Sequence, residues 1–323
     1  MSRALITGIA GQDGSYLAEL LLEKGYRVFG VARGSGPFPN LAAVEGRLEL
    51  IEADLGDPED IVRALRLAEP REVYNMASVS FVPASWEQPV QTARLAAVGV
   101  TAMLEAIRGV DQSIRFYQAS SSEIFGEPQE VPQTERTPLS PLTPYGVAKA
   151  YGHFITRSFR KRYGLHASAG ILYNHESPRR PPQFLPSKVA RAAARISRGL
   201  EQTVSLGDLE ARRDWGYAGD YVQAMWLMLQ QEQADDYIIC TGETHSVGEL
   251  AELAFRHVNL DWRAHVVSDP ALQRGKAELH DLVGDPRLAR ERLGWQRAVG
   301  FEGLVHLLVD AELERLRTQP LTR

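Results

Sequence analysis

A chain of 323 residues with a single cysteine, Cys240, cannot hold an internal disulfide framework. Its eight histidines are scattered, with no pair at ligand spacing, which argues against zinc chemistry. No Gly-x-Ser-x-Gly turn occurs, so the elbow of a serine hydrolase is missing. There is no excess of positive charge: the net charge of -5 argues against a nucleic-acid partner. No apolar run approaches the length of a membrane span, and no membrane partner is expected. Met1-Ser2-Arg3 leads directly into an apolar strand, leaving no room for a signal peptide, so a cytoplasmic location is expected. Internal repeats and low-complexity tracts are lacking too. What remains is ordinary globular material, 44% hydrophobic and 24% charged, enough for one large or two ordinary domains.

Short apolar runs alternate with helical patterns from the start. Ala4–Thr7, Val28–Ala32, Leu48–Ile51, Glu72–Asn75, Ile114–Gln118 and Ala167–Tyr173 read as strands. Helices are expected over Tyr16–Lys24, closed by Gly25, then from Asp57-Pro58 to Ala68, around Thr92–Arg108, and over Pro144–Arg162. Strict alternation implies parallel strands with crossover helices, an α/β doubly wound parallel sheet of Rossmann type. Ser177-Pro178-Arg179-Arg180-Pro181-Pro182 breaks the pattern. It divides a dinucleotide-binding domain, residues 1–176, from a smaller, mainly substrate-binding α/β domain, residues 177–323, with 214–240 returning to the first. Beyond the break, helices are expected over Pro186–Arg198, Ala218–Gln231, Val247–Val258 and Phe301–Leu316, and strands over Thr203–Leu206 and Tyr237–Cys240.

The first strand ends in Gly8-Ile9-Ala10-Gly11-Gln12-Asp13-Gly14. Glycines at this spacing let a chain turn tightly and bring backbone N–H groups to a pyrophosphate, with the following helix dipole helping. Gly8, Gly11, Gln12, Asp13 and Gly14 are therefore candidate cofactor contacts. Arg33 ends the second strand, where an arginine suits a ribose 2′-phosphate and an acid a 2′-hydroxyl; NADP is expected over NAD, which stays possible.

Tyr145 and Lys149 lie four apart in one expected helix and share a face. Tyrosine titrates near roughly 10 in solution, and a neighbouring ammonium favours the phenolate, making Tyr145 a usable base. Ser120-Ser121-Ser122-Glu123 follows the preceding strand, on the side where ligands bind in open parallel sheets. Glu123 is the informative residue. Dehydrogenating an alcohol needs a hydroxyl donor, the tyrosine and the lysine; a carboxylate beside them is a second base, able to remove a carbon-bound proton and help expel water.

Ser177 to Arg213 holds eight basic residues against three acidic ones. Lys188, Arg191, Arg195 and Arg198 fall on one helical face. Arg195 and Arg198 read as a solvated surface, whereas Lys188 and Arg213 suit a diphosphate.

Several stretches resemble the GDP-mannose 4,6-dehydratases, nucleotide-sugar-modifying members of the extended short-chain dehydrogenase/reductases, across about residues 3 to 300. They are Gly8 to Glu19, Phe116-Tyr117-Gln118-Ala119-Ser120, Asn174-His175-Glu176-Ser177-Pro178-Arg179-Arg180, Arg213-Asp214-Trp215-Gly216 and Met228 to Gln233. The resemblance implies a lyase. Hydride passes from mannose C4 to NADP+ while Tyr145, helped by Lys149 and Ser121, takes the hydroxyl proton; Glu123 removes the C5 proton as water leaves C6; the hydride returns to C6, giving GDP-4-keto-6-deoxymannose. It further implies that Asp54 and Leu55 flank the adenine. Met76, Ala77 and on to Ser80 would line the cofactor, as would His175 and Arg180. Ser122, Asn174, Lys188, Arg213, Arg274 and Glu278 would face GDP-mannose or a related nucleotide sugar, and a homodimer or homotetramer is implied. Departures from the family pattern are Ser121 for a threonine, Arg33-Gly34 for paired arginines, a short Gly34–Gly46 loop, Val79-Ser80-Phe81 for Gln-x-His, and an extra residue in Arg274-Gly275-Lys276-Ala277-Glu278. A reductase or an epimerase of a related nucleotide sugar is the alternative; neither needs a second base, so Glu123 counts against both. A non-catalytic cofactor sensor would be free to lose Tyr145 or Lys149, and both are present.

Overall fold

The computed structural model describes residues 1–34, 36–272 and 282–318. Seven strands form the central sheet: β1 (Arg3–Thr7), β2 (Arg27–Ala32), β3 (Glu49–Glu52), β4 (Glu72–Asn75), β5 (Arg115–Ala119), β6 (Ala167–Leu172) and β7 (Asp236–Ile239). Their order is β7-β6-β5-β4-β1-β2-β3, and every pairing is parallel. The winding direction reverses between β1 and β4, which opens a crevice at the carboxyl ends of those strands. Because both faces are covered, the strands are apolar nearly throughout. Ala4 and Ile6 of β1 face a layer built from α1 (Gln12–Glu23) and, much later in the chain, Tyr221, Met225 and Trp295. Leu5, between them, faces the opposite layer, with Ile61 and Leu65 of α2 (Pro58–Ala68) and Met103 and Leu104 of α3 (Gly99–Val110). α4 (Pro144–Tyr163) completes this second layer.

The smaller unit packs α5 (Leu185–Ser197), α7 (Val247–His257) and α9 (Phe301–Thr318) around Val189, Phe255, Leu304 and Leu308. Between α5 and α7 the chain returns to the large sheet: α6 (Ala218–Gln230) packs on α1, and β7 pairs with β6. Arg160 of α4 grips β7 through two bonds to Asp236, 2.9 and 2.8 Å long. A second return was not legible in the sequence. Ala289 and Leu293 of α8 (Arg287–Leu293) join the large core, and the Trp295 indole N–H donates to the Asp220 carbonyl at 2.8 Å.

Two local expectations need correction. The first helix starts at Gln12, four residues before the Tyr16 expected from its apolar pattern, because the glycines around it allow close packing rather than because a periodic stripe begins there. Against the expectation of no span-length run, Pro89–Val110 is a helical run of 22 residues, long and apolar enough to cross a membrane by length and composition alone. Its Val100, Met103, Leu104 and Ile107 are at most 1% exposed and pack in the core with α2, as a core helix does.

Asp214 joins the two units. Its carboxylate is 1% exposed and accepts from Thr241 N and Thr241 Oγ1, each at 2.9 Å, and from Gly242 N at 2.8 Å. Burial outweighs these bonds and pushes its pKa up to about 6. A carboxyl raised on folding favours the native state in its neutral form, and that contribution is lost as pH rises through the folded value. In urea titrations, the stability of wild type minus that of Asp214→Asn should therefore fall between about pH 4 and 6 and level off above. Asp214→Ala, which strands three donors, should lose about 2–4 kcal/mol at unchanged m-value. A difference that does not vary with pH would contradict the buried, partly neutral state of Asp214.

Candidate active site

The crevice begins with the turn after β1. Gly8 has a φ of 68°, and a side chain there would put Cβ 3.0 Å from the backbone of Ala77. A Cβ on Gly14 would lie 2.4 Å from the Gly8 carbonyl oxygen. Only glycine fits at either place, so the first turn of α1 sits directly on the end of β1, its backbone N–H groups facing outward. They face a cleft of about 410 Å³. Gly8, Gly11, Gln12, Asp13 and Gly14 line it on one side, and Asp54, Leu55, Met76, Ala77 and Ser80 on another. Arg33 and Arg180 line it too. These twelve were cofactor candidates from sequence. Phe38 and Leu95 line the cleft as well, and nothing in their local sequence signals it. A glycine cradle that a Cβ would fill, a helix N-terminus and a long cleft across the crevice fit an extended dinucleotide.

Asp13 stands in the first turn of α1, where an acid would repel a phosphate if left unpaired. His175 neutralises it, with Nε2 at 2.9 Å from Oδ2 and Nδ1 at 2.7 Å from the Tyr173 carbonyl oxygen. A carbonyl can only accept, so Nδ1 carries a proton. Burial opposes charge on both partners, but each outweighs it for the other: Asp13 is held down at about 2, with Arg180 helping, and His175 is raised. His175 is 8% exposed and stacked 4.6 Å from the Tyr221 ring. Its bond holds the carboxylate of Asp13, which lines the cleft.

The rest of its segment clamps α1. Gln12 donates to the His175 carbonyl at 3.0 Å and accepts from Ser177 Oγ at 2.8 Å. Arg179 reaches Ser15 at 3.0 Å and Glu19 at 2.5 Å, its guanidinium 4.0 Å from the centre of the Tyr16 ring. Arg180 turns the other way. It lies 3.3 Å from the buried Glu176 carboxylate and 3.7 Å from the centre of the Phe184 ring. Burial raises the Glu176 pKa, with Arg180 opposing.

On the other flank, Thr143 caps α4 by accepting from Gly146 N at 2.9 Å, and Pro144 opens its first turn. A Cβ on Gly146 would lie 2.6 Å from the Glu123 carbonyl oxygen. That close approach, which the sequence reading missed, brings α4 against the short helix Ser122–Ile124 and sets the Tyr145 hydroxyl in hydrogen bond with Ser121. Ser121 also caps that short helix, accepting from Glu123 N at 3.3 Å. Tyr145, Ser121 and Glu123 thus converge. Lys149 stands one turn further along the same helix. Its Nζ donates to the Ala119 carbonyl at 2.8 Å and stands 5.6 Å from the centre of the Tyr145 ring. Burial lowers Lys149 to about 8, and burial pushes Tyr145 up to about 12, with Glu123 adding and the Ser121 bond and Arg180 opposing. Desolvation is the largest influence on the phenol and outweighs the bond and the charge that oppose it.

The expected sugar contacts are less gathered. Lys188 donates to the Ser205 carbonyl at 2.6 Å and Arg213 to the Arg212 carbonyl at 2.6 Å, and neither lines the cleft. Asn174 pairs with Trp215 in a two-stranded ladder, and Ser122 is buried beside Glu123. Arg274 and Glu278 lie outside the described residues. Arg195 is paired with Glu201, as a surface residue would be.

The profile of the GDP-mannose 4,6 dehydratase family matches residues 5–308. GDP-mannose 4,6 dehydratase 1 of Arabidopsis thaliana is 46% identical over 96% of this chain and 90% of its own. Among solved structures, UDP-glucose 4-epimerase of Thermus thermophilus in complex with NAD superposes with a TM-score of 0.85 at 27% identity, covering 96% of this chain and 98% of its own. RMD of Pseudomonas aeruginosa, complexed with NADPH, shares the fold at 21% identity, with a TM-score of 0.83 over 97% of this chain and all of its own (100%). Matched nearly end to end in sequence and fold, this chain belongs to the GDP-mannose 4,6-dehydratase family.

Proposed function

We propose that the protein converts GDP-mannose to GDP-4-keto-6-deoxymannose with a nicotinamide cofactor. One observation carries the reading: Glu123, a carboxylate on the turn that also holds Ser121, stands beside the hydrogen-bonded Ser121–Tyr145 pair. Two bases brought together from a helix and a strand-end turn suit a reaction that removes two protons, one from oxygen and one from carbon. The relatives' activity on GDP-mannose supports the same reading. Solved neighbours of this fold hold NAD or NADPH, which supports a nicotinamide cofactor in the cleft.

Tyr145 would take the C4 hydroxyl proton through the bond it shares with Ser121. A nicotinamide held in the cleft would supply the hydride acceptor for C4 and the donor for C6, and the positive charge of its oxidised form would oppose the burial that holds Tyr145 at about 12. The 4-ketone acidifies the C5 proton, which Glu123 removes; the same proton can leave with the C6 hydroxyl as water, and when hydride enters at C6 a solvent proton adds at C5 while the hydroxyl proton taken by Tyr145 passes to solvent. The α1 N-terminus would hold the pyrophosphate, its Asp13 neutralised by His175. Lys188 and Arg213, on the smaller unit, are assigned to the sugar nucleotide on charge alone.

Incubation with GDP-mannose should give a product lighter by one water. Glu123→Gln keeps the size but cannot accept a proton, and should lower its formation by about 10²–10⁴-fold. Tyr145→Phe and Lys149→Met should each abolish most turnover. No 6-deoxy product from any GDP-hexose, or an undiminished rate in Glu123→Gln, would replace this reading with a reductase or an epimerase.

NADP is the cofactor we propose, on the position of Arg33 at the end of β2 within the cleft lining. Fluorescence titration should show tighter binding of NADP than of NAD, and Arg33→Ala should abolish the difference. Equal affinities in wild type, or no loss of NADP affinity in Arg33→Ala, would show that Gly34 and the shortened loop have removed the discrimination.

A further inference from the structure

A row of buried polar side chains runs beneath the crevice, at the carboxyl ends of β1, β4 and β5. Thr7 Oγ1 accepts from two backbone groups, Met76 N at 3.0 Å and Ala77 N at 3.2 Å. It then has one proton left to give and donates it to Asn75 Oδ1 at 2.8 Å. Asn75 must therefore turn its amide nitrogen to Gln118 Oε1, at 2.8 Å. Gln118 must turn its own amide nitrogen to the Ala119 carbonyl, at 2.9 Å. Lys149 donates to that same carbonyl at 2.8 Å. Thr7, Asn75, Gln118 and Lys149 are each no more than 6% exposed. Every link has one allowed direction, set at the origin by two N–H groups that cannot reverse. That origin is the Met76-Ala77 rim of the cleft, on which Gly8 packs.

We propose that Gln118 is a positioning residue for the reaction: through the polarised Thr7–Asn75–Gln118 chain it fixes the Ala119 carbonyl, and so holds Lys149 in register with the cofactor turn. This rests on the reading of Lys149 as part of the reacting site. A chain that served only to fasten three strands would need no fixed direction and no terminus on the lysine's acceptor. Rotation of either amide would place like groups together, two oxygens or two N–H groups, in a dry interior, so the chain resists any shift of Lys149.

The test reads Lys149 directly and turnover separately. The chain has five lysines, Lys24, Lys149, Lys161, Lys188 and Lys276, so selective ¹³Cε-lysine labelling gives a resolvable spectrum, with Lys149→Arg assigning the signal. Gln118→Met removes the last link at similar size. Thr7→Val breaks the chain two strands from the lysine without changing shape, which serves if Gln118→Met does not fold. Each should move the Lys149 titration midpoint by about half a unit or more, since burial lowers it with Asp13 opposing, and the bond to the Ala119 carbonyl holds the ammonium in that place. Thr7→Ser, which keeps the hydroxyl, should restore the midpoint. Each breaking variant should lower kcat by about 10–10²-fold with the KM for GDP-mannose little changed. An unmoved midpoint in both breaking variants overturns the proposal. A moved midpoint with unchanged kcat overturns its catalytic part. Wild type without dehydratase turnover would refute the functional reading alone, because the resonance still reports whether the chain holds Lys149.

Discussion

The seat of the first helix on the first strand governs much of the rest. With a Cβ on Gly14 the Gly8 carbonyl would be 2.4 Å away, so any larger residue lifts α1 off the sheet. Seated as it is, α1 presents its N-terminus to the cleft and projects Gln12, Asp13, Ser15 and Glu19 toward the segment after β6. That segment, Asn174 to Arg180, is where the chain passes from the large sheet to the smaller unit. The contact that builds a phosphate cradle is thus also the one that fastens the second unit beside it, and Arg180 reaches the cleft from the fastened segment.

Electrostatics in the crevice follow from burial more than from pairing. Asp13 at about 2 shows a group whose partners win, and Tyr145 at about 12 one whose partners lose. The difference is geometric. Asp13 meets an imidazole at 2.9 Å, while Tyr145 has a neutral hydroxyl as its hydrogen-bond partner and the nearby Glu123 carboxylate against it. The nearby ammonium, on Lys149, is spent on the Ala119 carbonyl. A phenol placed this way depends on positive charge brought by what binds in the cleft, which makes its basicity conditional on occupancy.

The sheet and its crossovers were legible because strands buried on both faces read as apolar runs and the helices between them as stripes. The candidate cluster of Tyr145, Lys149 and Ser121 was legible because a helix and a strand end bring those spacings together. What could not be read was contact across long separations. Gln12 as the true start of α1 depends on clearance under Gly14, and the role of Gly146 on clearance over Glu123. His175 stands in a conspicuous motif, yet its sequence does not say that it pairs with Asp13, 162 residues away. Gln118 is similar: its neighbour in space is Asn75, 43 residues back. Short pieces such as α8 carry too few turns for a period to show.

The central claim is that one molecule of cofactor carries hydrogen from C4 to C6 of one sugar, with a separate base at C5. GDP-mannose deuterated at C4, turned over in ordinary water, tests it most directly. The 6-deoxy product is expected to carry the deuterium in its C6 methyl group and an ordinary proton at C5. Product whose methyl group has lost the label, or label recovered on released cofactor, would contradict it.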